Sequence, residues 1–110
     1  MKGILITPDE ATIENIDGPF EDFHEIQKAI DCDCFTIAGY FEGHAVFVDD
    51  EGLFKENKMF TLMDHYPQPL AGKILILGTT DDGDCKDVSL TVQKVSDSLQ
   101  FLTIQQVMNA

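Results

Sequence analysis

Residues 72–80 read GKILILGTT, a run in which Ile74, Leu75, Ile76 and Leu77 follow one another without a polar break. Successive residues of a strand point to opposite faces, so an apolar residue at every position marks a strand covered on both sides. The segment HAVFVDD points the same way: His44, Val46 and Val48 fall on one face, Ala45 and Phe47 on the other. A fold for this chain must therefore supply cover for both faces of its central strands.

The segments around them supply candidates. KGILI at residues 2–6 reads as a strand ended by the turn signal TPDE, with residues 11–16 as the return strand of a hairpin. Residues 19–30 read as a helix, with Asp17 or Gly18 as cap, Pro19 in the first turn and Glu21 and Asp22 near its positive end. Its apolar stripe is Phe20, Phe23, Ile26 (or Ala29) and Ile30. Residues 32–41 form a strand, with 34–40 in the sheet, and residues 44–48 the next, joined by a two-residue turn, Glu42-Gly43; residues 49–52 turn the chain again, with Gly52 free to take positive φ. Leu53-Phe54 briefly resumes a strand.

Residues 57–66 read as a short helix capped by Asn57 and ended by His65 and Tyr66. Residues 73–77 are the buried strand, and residues 86–91 a last strand segment. Residues 91–109 read as a final helix with two apolar rows, one of Val92, Val95, Leu99 and Leu102, the other of Phe101, Ile104, Val107 and Met108. Two rows call for cover on two sides, which a C2 homodimer through this helix provides. Hairpins between most strands, with helices mixed in, define a single α+β domain over residues 1–110 with a mainly antiparallel sheet.

Charge bounds the function. Twenty Asp and Glu face seven basic residues, all lysine, for a net charge of −13. Reading DNA or RNA needs a basic face, and arginine is its usual tool for phosphate and guanine. Direct nucleic-acid binding is excluded on that ground; an acidic chain either stays soluble by its charge or shows it to a basic partner. By area scaling, a monomer of this mass exposes roughly 6,100 Å², about one carboxylate per 300 Å², against roughly one phosphate per 110 Å² on B-DNA. Mimicry of DNA thus requires clustering, and the clusters are two turns: Asp49, Asp50 and Glu51, then Asp81, Asp82, Asp84 and Asp87.

Other chemistries find little. DDGDCKD (residues 81–87) has the wrong spacing for a calcium loop: from Asp82, Lys86 falls at position 5 and Gln93 at position 12. Cys32, Cys34, Cys85 and His44 offer zinc one C-x-C pair and two single ligands, whereas a zinc site usually draws on two well-spaced pairs. Cys32 and Cys34 are too close to bridge, and the three thiols read as free and structural, with Cys32 and Cys34 buried on one face of their strand. No G-x-S-x-G elbow and no glycine-rich phosphate loop is present. His24 and His65 read as interface or helix-end residues. The N-terminus, one lysine and a short apolar run before Pro8, is not that of a signal peptide, which points to the cytoplasm; no run is long enough to span a bilayer.

KGILITPD at the start, HAVFVDDEGLFKEN in the middle and PLAGKILILG before the acidic turn resemble a family of small domains without an assigned function, found in bacteriophages and other mobile elements. The resemblance covers residues 2–90 and rests on Asp50-Glu51-Gly52, Asn57, Gly72 and Gly78. It implies a phage or mobile-element origin and carries over no catalytic residue and no cofactor. The expected function is that of an acidic, phage-type accessory protein, binding and inhibiting a host or defence protein with a basic surface, as a nucleic-acid mimic. The alternative is a small-molecule or nucleotide-binding domain with a pocket between helix and sheet.

Overall fold

The computed structural model describes residues 1–20, 22–64 and 66–109. The expected roles of Glu21 and His65 lie outside the described residues, as does the side chain of Phe54. Nine strands and three helices follow in the order β1 (Lys2–Thr7), β2 (Thr12–Asp17), α1 (Phe23–Ala29), β3 (Phe35–Phe41), β4 (His44–Asp49), β5 (Met59–Met63), β6 (Leu70–Ala71), β7 (Ile74–Thr79), β8 (Cys85–Lys86), α2 (Val92–Asp97), β9 (Leu99–Thr103) and α3 (Ile104–Met108). The class is α+β, and every strand pair is antiparallel.

The main sheet runs β2-β1-β7-β4-β3, with β8 paired to the end of β7; a small second sheet runs β6-β5-β9. The apolar run of β7 sits at its centre, and Ile74, Leu75, Ile76 and Leu77 are fully buried. Alternation divides them. Ile74 and Ile76 join Ile4, Ile6, Val46, Val48, Met63 and Val95 under the second sheet and α2. Leu75 and Leu77 join Leu5, Ala45, Phe47, Ile26 and Ile30 under α1. The molecule is thus layered, with α1 on one face of the main sheet and the small sheet with α2 on the other. The same parity explains β2, whose Ile13 packs on one cluster and Ile16 on the other.

Several expectations need correction. Helix α1 begins at Phe23, not Pro19, because the Asp22 carboxylate accepts the His24 amide (2.9 Å) and so caps it. Phe20 is still buried ahead of the helix, with Ile26 and Ile30, but Phe23 in the first turn is 58% exposed. Residues 53 and 54 lie in a 3-10 turn, Gly52–Phe54, instead of a strand. Gly52 is not in the left-handed region; its lack of a Cβ serves close approach, since a Cβ would lie 2.7 Å from the Ala71 carbonyl oxygen. The left-handed region is used instead at Glu42 (φ 48°) and Gly43 (φ 78°), which make the mirror-image turn that fits the β3–β4 hairpin.

The largest corrections concern residues 57–66 and 91–109. The first is a strand, β5: Asn57 does not cap a helix but closes a loop, donating to the Gly52 and Lys55 carbonyls (2.8 Å each). The distant Asp9 carboxylate accepts the Lys58 and Met59 amides at the start of β5. In the second, α2 stops at Asp97, where the Ser98 hydroxyl turns back to the Lys94 carbonyl (2.9 Å); the chain then becomes β9 and the short α3. Of the expected second row, Phe101 is covered within the chain. Of residues 86–91, only Lys86 pairs as strand, in β8.

Candidate functional site

Register separates the two acidic turns. His44 lies beside Gly78 and Val48 beside Ile74, so Asp49, Asp50 and Glu51 leave the main sheet at one end while Asp81, Asp82, Asp84 and Asp87 leave it at the other. At about 3.3 Å per residue, the length of β4 puts some 17 Å between them. The two turns do not form one face.

Their chemistry differs as well. Asp49 is buried (8% exposed), takes an ion pair from Lys55 at 2.6 Å and accepts the Glu51 amide. It holds its own turn, leaving Asp50 and Glu51 exposed. The hydrogen bond that Lys55 itself donates to the Asp49 carboxylate raises the Lys55 pKa. Asp87 is likewise engaged, accepting the Lys2 amide at 3.0 Å. Asp81, Asp82 and Asp84 are exposed on a closed turn: Thr80 donates to the Asp84 carbonyl (2.8 Å), Gly83 to the Thr80 carbonyl (3.0 Å), and the Asp84 amide to the Thr80 hydroxyl (3.1 Å). Thr79 ties the base of this turn to Gly43 of the β3–β4 hairpin (2.7 Å).

Residues 83–85 fold over the α1 side of the sheet and close one end of a groove of about 570 Å³. Phe23 and Ile26 of α1 form one wall, Ile37 of β3 and Phe47 of β4 the floor, and Asp84 and Cys85 the acidic end. Ile37 and Phe47 are cross-strand partners. Ile37 remains 42% exposed beside the 58% exposed Phe23, so the groove is an apolar surface left open. A second opening of about 440 Å³ lies on the other flank of α1, between Leu5, Ile16, Pro19 and Lys28.

His44 is the most structured polar group nearby. It is buried, with Nδ1 2.9 Å from the Glu42 carbonyl and Nε2 accepting the Ser89 amide at 3.0 Å. The Ser89 hydroxyl lies 3.1 Å from the same nitrogen. An exposed serine beside a histidine braced by a carbonyl has the outline of a nucleophile and base. The Nε2 lone pair, however, is already taken by the amide, which makes this histidine a clamp on residues 87–91. His24, on α1, lies against Phe23 with ring centres 4.4 Å apart and planes tilted by 40°.

The thiols are placed differently from expectation. Strand β3 begins only at Phe35, so Cys32 and Cys34 precede it and do not share a buried face; Cys34 is exposed, Cys32 and Cys85 half-buried, and all three are free. Burial, with the charge of Asp49 second, pushes the Cys32 thiol up to about 11; burial and then Asp84 raise Cys85. Among the described residues, no group of three or more His, Cys, Asp or Glu side chains is arranged to hold a metal ion, and no helix is long and apolar enough to cross a membrane.

Sequence reasoning named the acidic turn and, for the alternative function, a pocket between helix and sheet, but not the residues that line the groove. One signal was available: FTIAGYF, residues 35–41, is a seven-residue strand without a charge in a chain that is 25% charged.

These features define a small antiparallel α+β domain with an open apolar groove that ends in an acidic turn. The chain belongs to the family described as domain of unknown function DUF3846, whose model matches residues 1–103 and so takes in α2 and β9, beyond the resemblance read from sequence. It is similar to the uncharacterized protein y4iR of Sinorhizobium fredii, 36% identical over 66 residues, which are 60% of this chain and 40% of that protein. It is also similar to Protein PsiB of Rhizobium leguminosarum bv. phaseoli, 29% identical over 89 residues, 81% of this chain and 59% of the relative. The chain thus spans about half the length of these relatives. No solved structure matches it.

Proposed function

We propose that this domain acts by binding, and that it engages a basic surface of a partner protein through Asp81, Asp82 and Asp84. The observation that carries this reading is the junction of charge and apolar surface: Asp84 and the exposed Phe23 and Ile37 line one groove. Charge steers a basic partner and sets salt dependence, while apolar burial supplies the affinity that surface ion pairs lack. Asp87 lies just past β8 at the same end of the sheet; Asp49, Asp50 and Glu51 form a separate, opposite patch. In this proposal the domain is a phage-type or mobile-element accessory protein acting in a host cytoplasm, and occupation of the basic surface inhibits the host or defence protein that owns it. A nucleic-acid mimic of this kind uses one end of the sheet, since the two turns do not combine. Self-association stays within the proposal on the strength of Ile104 and Met108, which remain exposed on α3.

Affinity capture from a host lysate at low and high salt tests it. Wild type and a D50N/E51Q variant retain the same basic protein at low salt, and the D81N/D82N/D84N variant loses it. Equal capture by all three refutes the assignment to this turn.

A second reading rests on the groove itself, whose volume is within the usual range for small ligands. A metabolite or nucleotide held between α1 and the sheet raises the melting temperature of the wild type and leaves a Phe23→Asp/Ile37→Asp variant unmoved. Salt-sensitive capture of a protein without any such shift decides for the first reading.

A further inference from the structure

The edge strand β3 adds a mode of binding to the site proposed above, and rests on that reading. We infer that β3 accepts an added strand: an extended segment of the partner, apolar in its middle and basic at its ends, pairs with the free edge of the main sheet.

The two edges of that sheet are unlike. At one edge, β2 carries Glu14 and Asp17 and has α2 packed against it. At the other, β3 pairs among the described residues with β4 alone and has no charged residue between Phe35 and Phe41. Folded proteins blunt their edges with charge, proline, short strands or covering elements, because unpaired N–H and C=O groups recruit further strands. Strand β3 is long, uncharged and free of proline. Its one concession is a bulge between Ile37 and Gly39, a device that also re-aims side chains beside functional sites.

Side chains along the edge favour a strand as occupant. Ile37 and Tyr40 are 42% and 63% exposed, and Ile37 forms part of the groove floor. An incoming strand lying along β3 sends alternate side chains toward this groove, next to Phe23 and Phe47, as strand addition requires for specificity. Charge selects its composition. The uncharged stretch is bracketed by the exposed Asp33 before Phe35 and Glu42 after Phe41, with Asp84 at the acidic end of the groove. Basic residues flanking an apolar centre complement that arrangement. A second copy of this chain does not, since each carries −13.

The test uses the intact protein with three synthetic nonapeptides: one with lysines at both ends and alternating valine and threonine between, the same peptide with alternate backbone nitrogens methylated, and one with glutamates in place of the lysines. Binding is read by fluorescence anisotropy, and the site by amide hydrogen exchange. The first peptide is expected to slow exchange at residues 36–40 and to bind at least tenfold more tightly than the other two. N-methylation removes the donors that strand pairing needs and leaves charge and side chains in place. Equal affinity for the methylated peptide, protection away from β3, or no binding of the first peptide overturns the inference. If binding instead disappears only in D81N/D82N/D84N and ignores methylation, strand addition is wrong while the acidic turn keeps its role. Loss of partner capture by none of the variants refutes that earlier reading independently.

Discussion

Ser89 reaches His44 twice, through its amide (3.0 Å) and its hydroxyl (3.1 Å), both at Nε2. Between them the two residues fasten the segment after β8 to the first residue of β4. The amide contact matters more, because a partly buried N–H without an acceptor costs about 1–3 kcal/mol while a serine hydroxyl can turn to solvent. His44→Leu should therefore lower stability by about 1–3 kcal/mol in urea unfolding and speed exchange of the Ser89 amide. Ser89→Ala should cost under about 1 kcal/mol. If Ser89→Ala is the more damaging, the clamp has been assigned to the wrong bond.

Asp49 and Lys55 form the chain's best-buried ion pair among the described residues, with the carboxylate almost wholly enclosed and the lysine half in solvent. Removing the lysine strands a buried charge that keeps only the Glu51 amide. Lys55→Ala should destabilise by about 1–3 kcal/mol, and adding Asp49→Asn to it should recover part of that loss, since an amide is cheaper to leave unpaired than a carboxylate. Chemical unfolding of the two single variants and the double variant checks the sign. Additive losses would mean that the pair is not coupled.

Thr61 is wholly buried in β5, and among the described residues its hydroxyl has no partner. Valine has the same shape and keeps the β-branch suited to a strand. Thr61→Val should raise stability by about 1 kcal/mol, because it removes a buried polar atom without opening a cavity. A loss on thermal unfolding would contradict this account.

How much of the fold was legible follows from where each segment finds its partner. Strands β1, β2, β3, β4 and β7 announce themselves through local pattern and hairpin turns, and Glu42-Gly43 sets its hairpin by its own backbone. The two segments misread as helices, β5 and β9, are partners of each other, paired from Met59↔Thr103 to Met63↔Leu99. Neither is a hairpin neighbour of the other in sequence. MFTLM is covered on both faces, so its apolar spacing fits a helix as well as a strand, and only pairing with β9 settles it. The acidic turns failed for a related reason. Their residues were plain in the sequence, but β4 and β7 run antiparallel, and that topology sends the turns to opposite ends.

The thiols give a prediction with its pH dependence fixed. Reaction with a thiol reagent goes through the thiolate. Burial and the neighbouring carboxylate of Asp49 disfavour that anion at Cys32, lifting its pKa from 9.0 to about 11. At pH 8 this leaves about a hundredfold less thiolate than an unshifted cysteine has, and the greater nucleophilicity of a more basic thiolate restores about tenfold. Cys32 should therefore react about tenfold more slowly than an unshifted thiol, before any hindrance from its half-buried position. Its rate should climb about tenfold per pH unit until pH approaches 11. Cys34 is exposed and should react first; Cys85, raised by burial and by Asp84, should follow it and speed up in Asp84→Asn. Mass spectrometry of a labelling time course gives the order directly. Cys32 reacting ahead of Cys34 at pH 8 would place residues 31–34 differently from the arrangement described above.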